Sequence, residues 1–341
     1  MRDRLLQYLA CPLCRATLTC TAVRTAADEI EEGWLDCTGC GRRYPITGGI
    51  PRLLPPDLSQ SQRRTAAAFG WQWRYFVEMH EQYRAQFLDW IHPFQPEFFR
   101  DKVVLDAGCG IGRHAYFAAL FGAREVIALD LSDAVTTARR VLDGFANAHV
   151  VQGDIHRPPF RAAQSAGPFD FIYSIGVLHH LPDPRSGLDA LVPLLASGGT
   201  MFSWVYGREH NRIVRHLVDP LRRWITSRMP PPAIRVIAWP LALLLHVIVK
   251  GVYRPLASSR IGQFLPMRAY LTSLSGFGFR QNYNIVFDQL VAPIAHYIRR
   301  EELEDWLHGS GLAGVTLIPR NDNSWRGFGR RPDQAPAPAG R

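Results

Sequence analysis

A glycine-rich segment and a preceding aspartate have the residue types and spacing of a ligand-binding loop. Asp106 stands before Gly108-x-Gly110-x-Gly112, which follows an apolar run and opens a helical pattern. Glycine lets the backbone turn tightly and approach a ligand, while the N-terminus of the next helix offers free N–H groups. Such a loop alone also suits a dinucleotide-dependent enzyme, so other residues must decide between the ligands.

The residue after the loop and two later aspartates bear on that choice. Arg113 stands where a dinucleotide fingerprint needs a third small residue, and Asp106 would repel a pyrophosphate but attract a cationic amino group. Asp130 lies 22 residues after Gly108, the distance typical of a ribose-binding carboxylate. Asp154 ends the next apolar run, where it can accept from an adenine amino group. Together they favour S-adenosylmethionine (SAM), and ordinary capping of strand-to-helix turns is the alternative for Asp130 and Asp154.

Alternating strands and helices must position these residues from Lys102 onward. We expect strands at residues 103–105, 125–129, 149–151, 169–173 and 200–205, and helices at 112–121, 133–144 and 184–195. This alternation predicts an α/β fold with a parallel sheet covered on both faces. A helix at 300–310 and two closing strands at 315–318 and 324–329 complete a doubly wound, seven-stranded Rossmann-like sheet.

Four segments, 103–114, 126–131, 151–155 and 169–182, resemble the successive motifs of class I SAM-dependent methyltransferases. The likeness covers residues 102–206 well and 300–330 more loosely. It implies a SAM-dependent methyltransferase with these contacts: Gly108, Gly110 and Gly112 at the methionine end, Asp106 near its amino group, Asp130 at the ribose, Asp154 and Ile155 at the adenine, and Ser174 and Gly176 beside the sulfonium. Leu131 is a further predicted cofactor contact.

Two CxxC pairs near the N-terminus have metal-ligand spacing. Cys11 and Cys14 are separated from Cys37 and Cys40 by 22 residues. Four thiolates can close a tetrahedral zinc shell, and a shell with no open position is structural. A redox CxxC is the alternative, but two pairs in so short a window favour a structural zinc ion.

Residues 9–14 and 44–56 are similar to the zinc-ribbon activator of tRNA and protein methyltransferases. In that family the ribbon is usually a separate subunit that masks an apolar face of its partner. The resemblance implies a fused ribbon that stabilises this chain. The predicted organisation is a zinc ribbon (1–56), a helical linker packing on the core (57–101), the methyltransferase core (102–207 and 300–330), a helical insertion (208–299) and a disordered tail (331–341).

Two adjacent histidines follow the fourth strand of the predicted core. Ligands bind at the carboxyl ends of strands in doubly wound sheets, so His179 and His180 are expected beside the sulfonium. Methyl transfer to O, N or C acceptors requires proton removal, and imidazole titrates near neutrality. We predict His179 as the base, with His180 second and a structural role as the alternative. His296 and Tyr297 are weaker candidates for the acceptor pocket.

The insertion carries the chain's basic excess. Residues 211–300 hold 13 basic and two acidic residues, whereas the whole chain has a net charge of +9. Three interpretations compete: a cap over a lipophilic acceptor such as a quinone or isoprenoid, contact with an anionic membrane surface, and phosphate contacts to nucleic acid. A dimer interface is a fourth. The absence of an Asn-Pro-Pro-Tyr-type motif after the fourth strand disfavours nucleic acid.

We therefore predict a SAM-dependent methyltransferase acting on a small, lipophilic acceptor such as a quinone, an isoprenoid or another secondary metabolite. The alternatives are a zinc-ribbon rRNA or tRNA methyltransferase, a non-catalytic SAM-binding scaffold, and SAM chemistry other than methylation. The sequence lacks a signal-peptide pattern, and its longest uncharged apolar run, 236–249, is shorter than the roughly 20 residues of a membrane span. These features predict a cytoplasmic protein, with peripheral membrane contact through 211–300 left open.

Overall fold

The computed structural model describes residues 1–79, 82–162, 167–209 and 211–333. The strands are β1 (Leu18–Ala26), β2 (Glu29–Cys37), β3 (Arg43–Thr47), β4 (Ile50–Leu53), β5 (Val103–Ala107), β6 (Glu125–Asp130), β7 (Ala148–Gly153), β8 (Phe169–Ile175), β9 (Leu195–Tyr206), β10 (Ala313–Arg320) and β11 (Ser324–Arg330). The helices are α1 (Gln60–Tyr75), α2 (Gln82–Trp90), α3 (Arg113–Leu120), α4 (Val135–Val141), α5 (Pro184–Leu191), α6 (Asp219–Trp224), α7 (Pro231–Ile248), α8 (Arg254–Leu256), α9 (Arg268–Leu274), α10 (Phe279–Val291) and α11 (Arg300–Gly309).

The last seven strands form the predicted doubly wound sheet, in the order β7-β6-β5-β8-β9-β11-β10. The five strands β5 to β9 pair in parallel with one another, while β11 runs antiparallel between β9 and β10. Every residue of β5 and β7 is buried, as expected for strands covered on both faces. The carboxyl ends of β5, β6, β7 and β8 therefore meet at one edge, where the predicted site residues lie.

The cysteine-rich segment is continuous with this sheet. Strand β4 pairs in parallel with β7 through Arg52 with Gln152 and Leu53 with Gly153, so the sheet has eleven strands. The N–H of Ala10 also donates to the carbonyl of Pro159 (3.0 Å). Apolar side chains of both parts belong to one buried cluster. The fused ribbon thus covers the open edge of β7 as well as an apolar face.

The insertion is helical, and its longest helix is largely exposed. Helix α7 buries Ile234, Ala238 and Ala242 on one side, and its main neighbour is α10. With the π-helical turn Val249–Tyr253 and α8 it forms a continuous apolar helix, Pro231–Leu256, which is long and apolar enough to cross a membrane by length and composition alone. The uncharged run 236–249 underestimated the length of this apolar helix, because the helix continues past Lys250.

The expected disorder of residues 331–341 is wrong at its start. The backbone N–H of Arg331 donates to the carbonyl of Gly199 (2.8 Å), and its own carbonyl accepts from Gly198 N–H (3.1 Å). This pairing fixes the chain just after β11. Residues 334–341 lie outside the described residues.

Candidate active site

The glycine loop between β5 and α3 adopts a backbone that requires glycine. Gly108, Gly110 and Gly112 all have left-handed φ angles, of +95°, +53° and +79°. A Cβ on Gly108 would lie 2.3 Å from a methyl carbon of Val177, and one on Gly110 would lie 3.2 Å from the indole nitrogen of Trp73. The loop is therefore closely packed on two sides, which fixes its backbone at the edge of the sheet.

Asp106, the penultimate residue of β5, has one carboxylate oxygen without a close donor. Its Oδ2 accepts from the N–H of Ala115 (3.1 Å), whereas its buried Oδ1 has no partner within hydrogen-bond distance among the residues described. Burial raises the pKa of this carboxyl to about 8, because the charged form loses its hydration. The hydroxyl of Tyr173 lies close enough to the carboxyl to lower its pKa, an effect smaller than that of burial. A ligand ammonium would supply both a donor and a compensating charge, so the site fits the amino group of SAM.

Asp130 organises the loops that would surround a ribose. Its Oδ2 accepts from Gly110 N–H (2.8 Å), and its Oδ1 accepts from the N–H (2.8 Å) and hydroxyl (2.6 Å) of Ser132. Capping is therefore part of what this aspartate does. Two carboxylate oxygens offer about four acceptor sites, so capacity for a ribose hydroxyl remains.

Asp154, directly after β7, is held by the first helix of the chain. Its Oδ2 accepts from Gln62 Nε2 (2.8 Å), and its Oδ1 accepts from His156 N–H (3.1 Å). Gln62 is itself fixed by a capping box, because its Oε1 accepts from the N–H of Ser59 (2.9 Å). A cleft of about 290 Å³ opens here, lined by Pro55, Asp57, Leu58, Ser59, Gln62, Asp154, His156, Arg157, Pro182, Asp183 and Ser186.

Helix α1 crosses the whole carboxyl edge of the sheet. Its N-terminal end contacts Asp154 through Gln62, its middle places the Phe69 ring 4.9 Å from the ring of His180, and its C-terminal end places Trp73 against the glycine loop. The sequence predicted a helical linker packing on the core at 57–101. It did not show that this helix would lie over the predicted cofactor residues.

The remaining predicted cofactor contacts have mostly structural side chains. The buried hydroxyl of Ser174 donates to the carbonyl of Ala107 (2.9 Å), which ties β8 to β5. The Ile155 side chain packs in the core, and the carbonyl of Leu131 accepts from Gln152 (3.1 Å). Gly176 has a left-handed φ of +77°. The side chains of Ser174 and Ile155 are therefore occupied by contacts within the protein.

The two histidines differ in their hydrogen bonding. His180 places Nδ1 2.6 Å from the carbonyl of Ile294, so Nδ1 carries the proton and Nε2 keeps its lone pair. Burial lowers the pKa of His180 to about 4. His179 is fully buried, and within the described chain neither of its ring nitrogens has a partner. Both imidazoles are neutral at pH 7, because burial also lowers the pKa of His179 well below its ordinary value.

A polar cluster under the insertion continues from the histidines. The ring of Tyr206 lies 3.9 Å from that of His179, and its hydroxyl donates to Asp288 (3.2 Å). Arg222 of α6 has a side chain only 1% exposed and bonds to Asp219 and Tyr297. Its Nε and Nη1 have no acceptor among the described residues. A buried guanidinium with two free donors indicates a place for a ligand oxygen.

Sequence reasoning found only part of this cluster. Tyr297 was a weak candidate and stacks on Tyr206 with ring centres 6.1 Å apart, whereas His296 contacts the histidine pair through its backbone N–H, which donates to His179 (2.8 Å). Arg222 and Asp288 were missed. The signal available was that Asp219 and Asp288 are the sole acids in a strongly basic window, which suggests that both have specific partners.

The four predicted zinc ligands converge in the ribbon. The Sγ atoms of Cys11, Cys14, Cys37 and Cys40 all lie within 4.8 Å of one another. Cys14 and Cys37 are 3.3 Å apart and Cys11 and Cys40 3.8 Å, close to the spacing of about 3.8 Å that four sulfurs at 2.3 Å from a tetrahedral zinc would have. The donor set fits a closed structural zinc site that leaves no position for substrate.

Comparisons with known families agree with this geometry. A family model described as a methyltransferase domain matches residues 79–317, more than two thirds of the chain. A second model, described as Trm112p-like protein, matches residues 2–49, which contain all four clustered cysteines.

Relatives differ in the substrates that their names give. A ubiquinone biosynthesis O-methyltransferase of Aromatoleum aromaticum is 35% identical over 34% of this chain and 47% of its own length. A tRNA U34 carboxymethyltransferase of Mannheimia succiniciproducens is 29% identical over 37% of this chain and 38% of its own length. Among solved structures, a complex between the Haloferax volcanii Trm112 methyltransferase activator and the putative methyltransferase has a chain similar to this one. The match covers 81% of this chain and 99% of the chain in that complex, with 14% identity and a TM-score of 0.46. The chain spans less than half the length of the two curated relatives, so their names leave the acceptor open.

Proposed function

The chain belongs to the SAM-dependent methyltransferases and carries a Trm112p-like zinc ribbon, and from this premise we propose that it methylates a small, lipophilic acceptor. The observation that carries the proposal is the place of the polar cluster. His180 and Arg222 are buried and Tyr206 is partly buried, between the sheet and an apolar helical cap. A small molecule with an oxygen-bearing head and an apolar body suits such surroundings.

The residues at the carboxyl edge would hold SAM along its length. Asp106 would take the amino group, the glycine loop the methionine end, Asp130 the ribose, and Asp154 with Gln62 the adenine end. When bound there, SAM supplies an electrophilic methyl group. The protein's part is to align the acceptor with it and to exclude water.

We assign proton removal to His180 rather than to His179. The carbonyl of Ile294 fixes the His180 tautomer, so Nε2 is free to accept a proton, and its lowered pKa keeps it neutral at pH 7. His179 is enclosed more completely and packs on Tyr206, which suits a role in positioning.

Arg222 would orient the acceptor by donating to an oxygen on it. Its charge is already balanced by Asp219, so the free N–H groups of Nε and Nη1 suit a carbonyl, hydroxyl or phenolic oxygen of a neutral molecule. Replacing it with methionine keeps the volume but removes the donors. We expect KM for the acceptor to rise about 10- to 100-fold with SAM affinity unchanged.

The test is incubation with methyl-labelled SAM and separate small-molecule, lipid and RNA extracts of cells. We expect label in an organic-soluble small molecule, and a loss of about 10²- to 10⁴-fold in its rate of formation for His180→Gln. The exposed His308→Gln serves as the matched control. Label found only in RNA would refute the acceptor class, and unchanged turnover in His180→Gln would refute the base.

An RNA acceptor is the second candidate, favoured by the likeness to a tRNA U34 carboxymethyltransferase and by the basic insertion. Binding of RNA through phosphates weakens steeply with salt, which makes this alternative directly measurable. The buried position of Arg222 argues against it, because that guanidinium cannot reach a phosphate backbone at the surface.

A further inference from the structure

Helix α7 presents an unpartnered apolar face. At 100° per residue, Val236, Leu243, Leu244 and Val247 share one side of the helix, opposite the buried Ile234, Ala238 and Ala242. The side chains of Val236, Leu244 and Val247 are 59–67% exposed. Among the described residues no chain segment covers this face. Helices apolar on all sides are normally buried in a core or in lipid.

The packing of α7 on the rest of the protein excludes a bilayer-spanning orientation of this helix. The buried side of α7 packs along α10, which in turn packs on α1 over the ligand site. A helix spanning a bilayer would have to leave these contacts. Helix α7 can therefore meet lipid only by lying along its surface.

Basic side chains flank both ends of this helix. Arg223 and Arg228 precede it, Arg254 and Arg260 follow it, and all four are exposed. The three acids of the described cap residues all have partners. Asp219 and Asp288 are partly buried and paired, and Glu209 accepts from the indole of Trp325 and the N–H of Arg300. An apolar face between arginines complements anionic headgroups above acyl chains. Two copies meeting through the same face would instead bring like charges together.

We propose that the α7 face docks on an anionic lipid surface, with α7 lying in the plane of the headgroups. Docking is independent of methyl transfer but places the proposed active site beside a source of lipophilic molecules. Helix α6 links the two, because Trp224 is 69% exposed on its outside while Arg222 is buried on its inside.

The experiment is sedimentation of the full chain with vesicles of phosphatidylcholine alone or mixed with phosphatidylglycerol. We expect binding to the mixed vesicles only. Leu244→Glu with Val247→Glu should reduce it at least tenfold, while Val23→Glu, equally exposed on β1, leaves it unchanged. Arg228→Gln with Arg254→Gln should cost about fivefold for each arginine, and the exposed Arg100→Gln should cost nothing.

SAM binding by every variant, measured by calorimetry, separates loss of docking from loss of folding. Equal binding to both kinds of vesicle, or binding that survives the two glutamates, overturns the proposal. So does a stable dimer in sedimentation that Leu244→Glu with Val247→Glu converts to a monomer, because a second copy then covers the face. If the protein binds the vesicles but the labelling experiment finds no methylated product, the proposed function is refuted and the docking proposal is not.

Discussion

Replacing His180 with glutamine should change how the stability of the protein depends on pH. In the folded protein the imidazole is buried and its Nδ1–H donates to the carbonyl of Ile294, and burial lowers its pKa to about 4. An ordinary histidine in the unfolded chain titrates near 6.5. A glutamine amide can keep the bond to the carbonyl but does not titrate.

The sign follows from which state takes up the proton. Between pH 6.5 and about 4 the unfolded chain protonates His180 while the folded chain does not, so protons favour unfolding. The stabilisation is fully present above pH 6.5 and is lost as the pH falls towards 4. A difference of about 2.5 pKa units corresponds to about 3 kcal/mol in all, of which about 2 kcal/mol is lost by pH 5.

The assay is urea unfolding of both proteins from pH 7.5 to pH 5. Other titrating groups are common to both, so the difference between the two unfolding free energies isolates His180. We expect the wild type to lose about 2 kcal/mol more than His180→Gln over this range. The exposed His308→Gln should follow the wild type. If the difference in unfolding free energy between the wild type and His180→Gln does not change with pH, the imidazole is protonated or solvated in the folded protein.

Three further outcomes follow from the ribbon and the ligand site. Chelating zinc, or Cys37→Ser, should lower the melting temperature of the whole chain in one calorimetric transition, because ribbon and core share an apolar cluster; two separate transitions would contradict a shared core. Gln62→Ala should weaken SAM binding about 3- to 10-fold by calorimetry, since Asp154 loses the donor that holds it, whereas unchanged affinity would place the adenine elsewhere. Gly108→Ala should destabilise the fold by about 1–3 kcal/mol in urea unfolding, because a Cβ would meet Val177 at a left-handed φ, and wild-type stability would mean that the loop can adjust.

Local patterns were sufficient for the elements of the core. The strand expected at 103–105 is β5 and the helix expected at 184–195 begins at Pro184, because apolar periodicity and a Pro at the first helical turn are properties of neighbouring residues. Boundaries were less accurate. The helix expected at 133–144 is only Val135–Val141, and β9 extends to Leu195–Tyr206, since pairing with neighbouring strands decides where a strand ends.

The sequence by itself determined the SAM-type loop, the aspartates at successive strand ends and the two cysteine pairs, because each is a short pattern whose chemistry depends on residue type and spacing. Only the tertiary structure decided that β4 pairs with β7 and that α1 lies over the predicted cofactor residues. It likewise decided that the carbonyl of Ile294 fixes the tautomer of His180, whereas no described residue bonds to either ring nitrogen of His179. It also decided that Arg222 is buried while the α7 face is exposed. Burial and hydrogen-bond partners arise from segments far apart in the chain, so no local pattern contains them.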